Sequence, residues 1–182
     1  MILNISQYGD VNLRAKATRV ETVDETIRKL ADDMLETLHS VEGIGLAAPQ
    51  VYKTLRLVVI DIPEDEDEQH EDIEVNGEKV PMRSIMPLVF INPEIEPYGK
   101  QEFSREGCLS VHDLRASVGR PRRTRAKLTL LDGSTLQIDC GGLLARCLQH
   151  ECDHLEGVLF TDRISSAARV TIAKRLRFLQ FE

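Results

Sequence analysis

The run His150-Glu151-Cys152-Asp153-His154 sets metal-ligating and acid–base side chains at five consecutive positions. On an α-helix, residues four apart stand one above the other, so His150 and His154 can grip a single metal ion. Glu151, beside the first of them, can exchange protons with a water held by that ion. A solvated helix could carry the same five residues, but the helical stretch from Leu143 to about Glu156, with glycine at each end, favours a metal site. Two histidines leave the ion short of a ligand. A third histidine six residues after His154 is absent, since Phe160 stands there, and the only later glutamates are Glu156, too close, and Glu182, the last residue. Both common HExxH metalloprotease arrangements are thereby disfavoured. A cysteine is the next candidate. At about 100° per residue, Cys152 falls on the far side of the helix from both imidazoles. Cys147 lies on their face a turn earlier, where it lines the site or packs in the core. Cys108, after Gly107, and Cys140, before Gly141-Gly142, both stay open on spacing.

The elements that must position these groups follow from periodicity and punctuation. A helix is expected from about Asp24 to His39, with Thr22 and Glu25 at capping-box spacing and Ile27, Leu30, Ala31, Met34 and Leu38 forming one apolar stripe. Gly43 to Gln50 reads as neither helix nor strand. Leu55–Asp61 reads as a buried strand and Leu88–Ile95 as another, broken by Pro93. Ala126–Leu131 and Thr135–Asp139 flank the turn Asp132-Gly133-Ser134. Gly157 can end the metal helix in a left-handed conformation, and a last helix runs from about Ser165. Strands followed by a functional helix, without regular βαβ alternation, predict an α+β fold: antiparallel strands around a central metal-binding HExxH helix, with one helix before and one after. The expected organisation is a catalytic domain over 1–164, with an acidic insertion at about 61–80, and a helical extension over 165–182.

Composition narrows the function classes. Of 182 residues, 42% are hydrophobic and 29% charged, as in ordinary globular proteins. No apolar run approaches the roughly 20 residues that cross a bilayer, and no export or transit pattern opens the chain. The net charge of −7 is uneven. Asp61 to Glu78 holds ten acidic residues and no Lys or Arg, and outside it 23 basic residues stand against 20 acidic. A solvated, self-repelling loop is the expected reading of that stretch, ahead of a docking element. Three of the four cysteines fall between Cys140 and Cys152, which suits a reducing cytoplasm with metal-bound or buried thiols better than disulfides.

Three segments taken together, Gly43-Ile44-Gly45-Leu46-Ala47-Ala48-Pro49-Gln50, Glu106-Gly107-Cys108-Leu109-Ser110 and Gln149-His150-Glu151-Cys152-Asp153-His154-Leu155-Glu156-Gly157, resemble in order and spacing the three motifs of peptide deformylases. The resemblance runs from about Asp10 to Arg163. It implies Cys108, His150 and His154 as ligands of one divalent ion, Fe²⁺ first and Zn²⁺, Ni²⁺ or Co²⁺ as alternatives, with water in the fourth position. It implies hydrolysis of the N-formyl group from the formylmethionine end of a newly made protein, releasing formate. Glu151 would move the water's proton to the leaving nitrogen, and the Gln50 amide and the Leu109 backbone N–H would meet the developing oxyanion. Ile44, Gly45, Leu143 and Cys147 would receive the methionine and its backbone; Arg115 would lie near the bound peptide. Glu106 and Arg120 match positions where the family pairs an acid and an arginine beneath the site.

The chain departs from the family at His112 and Gly119, where proline is usual, which loosens the expected rim of the site. His112 could be offered as a ligand, but the tetrahedron is already complete without it. From Arg163 to Phe181 five basic residues occur and no acid. There Ile172, Leu176 and Leu179 make one stripe that would pack on the domain. Val170, Lys174, Arg177 and Phe181 make another, consistent with ribosome docking or with a solvated charged face. The expected partner is the nascent polypeptide N-terminus, with no DNA and no membrane. The competing readings are a metallopeptidase of ordinary peptide bonds and an inactive deformylase-like scaffold.

Overall fold

A computed structural model describes residues 1–63 and 72–179 of the chain. Helix α1 (Glu25–Ser40) buries Ile27, Leu30, Ala31, Met34 and Leu38 along one face. Its cap is Asp24, whose carboxylate accepts from the Ile27 N–H at 2.9 Å. The Thr22–Glu25 box is therefore corrected: Asp24, two residues on, reaches the third helical N–H and starts the helix at Glu25.

Strand β1 (Gly45–Ala47) pairs antiparallel with β2 (Leu57–Ile60). The Gly43–Gln50 segment is thus more regular than its small residues suggest, a strand followed by a 3₁₀ turn over Ala48–Val51. Full burial explains it, because backbone polar groups removed from water must find partners. In β2 all four residues are buried, Val58 and Ile60 facing one core and Leu57 and Val59 the other, which includes α1.

Strand β5 (Leu88–Cys108) and β6 (Val111–Leu130) form a long hairpin that extends well beyond the Leu88–Ile95 and Ala126–Leu131 segments expected. Pro93 does not end β5, because the register shifts between Ile91 and Glu94, where a missing N–H costs no ladder bond. Asn92 lies there at φ 49° and binds both backbone groups of Val20 with its side-chain amide. Strand β7 (Thr135–Cys140) follows the turn read at Asp132–Ser134 and pairs with β6.

The acidic stretch is only partly described: residues 64–71 lie outside the described residues. Its C-terminal part is not a solvated loop but a small hairpin, β3 (Glu74–Val75) and β4 (Glu78–Lys79), joined by Asn76-Gly77 at positive φ and paired to β7. Among the described residues the sheet order is β1-β2-β5-β6-β7-β3-β4, every neighbour antiparallel.

Helix α2 (Gly142–Leu155) packs against β1, β2, β5 and β6. Gly157 follows it at φ 72°, where an added Cβ would stand 2.5 Å from the Arg14 carbonyl oxygen. Helix α3 (Ser166–Leu179) buries Leu176 and Leu179 against Val111, Leu114, Ala116 and Val118 of β6, with Ile172 packed alongside. Phe181 lies outside the described residues. No helix among the described residues is long and apolar enough to cross a membrane.

Candidate metal centre and active site

Cys108 ends β5, where the hairpin turns back through Leu109 and Ser110. His150 and His154 project from successive turns of α2, their rings 5.1 Å apart between centroids. The potential ligand atoms of Cys108, His150 and His154 all lie within 4.8 Å of one another. The Cys108 sulfur is 3.3 Å from His154 Nε2. The Cys108 and Cys140 alternatives are thereby separated: Cys140 is fully buried against the Thr124 carbonyl.

Charge at the centre is set by burial and by Glu106. Burial favours neutral imidazole at His154 and pushes its basicity well down, leaving a lone pair for a ligand role. At His150 burial acts in the same sense but is outweighed by hydrogen bonds to Cys108 and Glu106, which hold a positive charge there. A proton so held is what a divalent ion displaces. His150 Nδ1 donates to Glu106 Oε2 at 3.2 Å, leaving Nε2 for the site. Burial would raise the Glu106 acid, yet His150 and Arg120 bring it down to about 2. Arg120, 2% exposed, grips Glu106 through Nε and Nη2 at 2.7 and 2.9 Å and Asp153 through Nη1 at 2.8 Å. The acid–arginine pair is therefore present in the interior.

Glu151 is 4% exposed, and burial pushes its carboxyl up to about 7. Its Oε2 is buried with no hydrogen-bond partner among the described residues. An orphaned acceptor beside two imidazoles and a thiol is a cost the fold tolerates where a ligand completes the set. Gly45 presses on it: an added Cβ would stand 2.5 Å from Glu151 Oε1 and 2.9 Å from Cys147 Sγ. Gln50, 1% exposed, is held at both ends of its amide. Its Oε1 accepts from the Ala47 N–H at 2.9 Å, while Nε2 reaches Ser110 Oγ at 3.2 Å and Cys108 Sγ at 3.5 Å. Leu109 directly follows Cys108, and its carbonyl accepts from Gln7 Nε2 at 3.2 Å.

The remaining sequence candidates divide. Leu143 and Cys147 of α2 and Ile44 before β1 belong to the same apolar cluster. Arg115 is exposed, opposite Gly107 in the β5–β6 ladder. His112 is exposed and 3.3 Å from Asp113, apart from the ligand set. Sequence reasoning missed Ser110, Arg146 and Asp153. Arg146, four residues before His150, was within reach of the same helical spacing argument; Ser110 and Asp153 gave no such signal.

A thiol and two imidazoles beside a buried carboxyl in an α+β scaffold form a candidate metal site of the kind that supports hydrolysis. Comparison with known proteins makes this specific. The family model of polypeptide deformylases matches residues 2–170. The peptide deformylase of Stutzerimonas stutzeri is 45% identical over 176 residues, covering 96% of this chain and 94% of that protein. The crystal structure of the Ehrlichia chaffeensis peptide deformylase aligns with TM-score 0.81 at 37% identity, over 98% of this chain and 96% of that one. That of the Synechococcus elongatus enzyme, solved with actinonin, aligns with TM-score 0.80 at 36% identity, over 97% and 85%. The chain belongs to the polypeptide deformylase family. It is a hydrolase of protein biosynthesis that removes the formyl group from the N-terminal methionine of nascent polypeptides, and the reading as a peptidase of ordinary peptide bonds falls away.

Proposed function

We propose that α2 is the metal-binding HExxH helix of this enzyme and that Cys108, His150 and His154 hold one divalent ion. The convergence of their ligand atoms within 4.8 Å, beside the orphaned Glu151 carboxylate, carries this reading. Thiolate and imidazole suit Fe²⁺, Zn²⁺, Ni²⁺ and Co²⁺ alike; the family resemblance favours Fe²⁺. When bound, the ion supplies a Lewis acid that polarises the formyl oxygen and acidifies water.

The chain's own residues do the rest. Glu151, poised near neutrality, takes a proton from the attacking water and returns it to the leaving nitrogen, so that water and formamide become formate and a free amine. Gln50 Nε2, fixed by the bond between its other end and Ala47, donates to the developing oxyanion together with the Leu109 N–H. Ile44, Leu143 and Cys147 line the methionine pocket, a burial worth about 1.5–3 kcal/mol. Gly45, on the outermost strand of the described sheet, lets the extended substrate backbone lie close. Arg115 reaches the peptide beyond the methionine. Helix α3 (Ser166–Leu179) acts as an appendage to the catalytic unit in a cytoplasmic enzyme. The helix docks on the ribosome through exposed Arg169, Val170, Lys174 and Arg177.

The test is release of amine from a formyl-Met dipeptide and from its acetyl analogue, on anaerobically prepared protein whose metal is assayed. Activity on the formyl peptide alone, with about one iron per chain and a roughly 10²–10⁴-fold loss in Glu151→Gln, is expected. Equal cleavage of both peptides, or an active protein without metal, refutes the reading.

A further inference from the structure

Arg146 stands one helical turn before His150 on α2, and its side chain is 15% exposed. Nη1 donates to Glu106 Oε1 at 2.7 Å and to the Val118 carbonyl at 3.1 Å; Nη2 donates to the Glu102 carbonyl at 2.9 Å. Glu102 lies on β5 and Val118 on β6. One guanidinium therefore ties the helix carrying both histidines to both strands of the hairpin whose end carries Cys108.

Glu106 is saturated as a result. Oε1 accepts from Arg120 Nε and Arg146 Nη1, and Oε2 from Arg120 Nη2 and His150 Nδ1. Arg120 already links β6 to α2 through Asp153. Gln149 Nε2, on the Pro121 carbonyl and Thr124 Oγ1, and the Ala145 carbonyl, which accepts from Thr124 Oγ1, tie α2 further to β6. Arg146 and Asp153 are seven residues apart, about 10 Å along the helix axis. At that separation Arg146 adds a tie that reaches β5 as well as β6, so the helix is referenced to both strands of the hairpin. Planar donors in a rigid fork suit this task, and lysine could not span the carboxylate and both carbonyls.

We propose that Arg146 is a positioning residue of the metal centre: through Glu106 and the two hairpin carbonyls it sets the placement of the Cys108 sulfur relative to the two imidazoles. The inference rests on the reading that Cys108, His150 and His154 hold the ion.

The test uses the full chain loaded with Co²⁺, read by its thiolate-to-cobalt charge transfer, its d–d bands and its rate of cobalt release to a chelator. Arg146→Met keeps the stem and removes the donors. It should release cobalt about 10–100-fold faster, as loss of an outer-shell partner does, with shifted d–d bands; Arg146→Lys should lie between Met and Arg. In a Glu106→Gln background the Met substitution should add much less, because the two act through one contact. Release within twofold of the parent with an unchanged spectrum overturns the proposal. Should Arg146→Met fail to fold, Arg146→Lys decides by the same two measurements. A parent protein that shows no thiolate charge-transfer band refutes the ligand reading itself, a distinct outcome.

Discussion

Gly45 illustrates how one missing atom can position a catalytic group. Its backbone is extended, so alanine fits the conformation, yet the new methyl would meet Glu151 Oε1 at 2.5 Å and Cys147 Sγ at 2.9 Å. The flexible partner is the carboxylate, which must move. We expect Gly45→Ala to fold and to bind the proposed metal as the parent does while losing about 10²-fold in kcat/KM, since displacement of a reacting group by about 1 Å has that effect. Steady-state assay beside metal analysis checks it; unchanged kinetics would mean the carboxylate does not work from this position. At this scale the sequence offers its candidates unevenly. His150, His154 and Glu151 follow from helical spacing alone, whereas Cys108 needed the motif around it. Spacing along a chain says nothing of contacts between a strand end and a helix more than forty residues later.

At the scale of elements, legibility fell where tertiary pairing overrides local chemistry. Gly119-Arg120-Pro121-Arg122-Arg123 has no apolar alternation, yet it lies in the middle of β6, held by Gln101, Glu102 and Phe103 across the ladder. What secures this region is ionic. Asp139 on β7 accepts from Tyr98 of β5 at 2.7 Å and from Arg123 of β6 at 2.8 Å, with Arg125 at 3.2 Å. Burial would raise the Asp139 acid, but these donors hold it below its ordinary value. A depressed carboxyl contributes stability above the unfolded pKa of about 4 and loses it as pH falls through the folded value. Asp139→Asn should therefore cost about 1–2 kcal/mol at pH 7, a drop in Tm of about 3–6 °C, and the gap to the parent should narrow as pH falls below about 4. Thermal scans across that range test it, and a gap constant with pH would assign the loss to packing.

For the whole molecule, α3 joins the fold by one face and leaves the other outward. Leu176 and Leu179 are covered, while Val170 is 77% and Phe178 56% exposed among Arg169, Lys174 and Arg177. The proposed docking on ribosomal RNA would be weakened by charge reversal and by salt. We expect Lys174→Glu/Arg177→Glu to lose co-sedimentation with ribosomes while hydrolysing a free formyl-Met peptide at the parental rate; retained co-sedimentation would assign docking elsewhere. The same distribution of inside and outside governs the sulfurs. Cys140, Cys147 and Cys152 are sealed in the interior, with burial keeping their thiols protonated. Cys108 is the partly open one. Peroxide is far smaller than a peptide terminus, so under the proposed ligand set oxidative damage should converge on that single sulfur, as a sulfenic acid that would displace the ion and silence the enzyme before the fold is harmed.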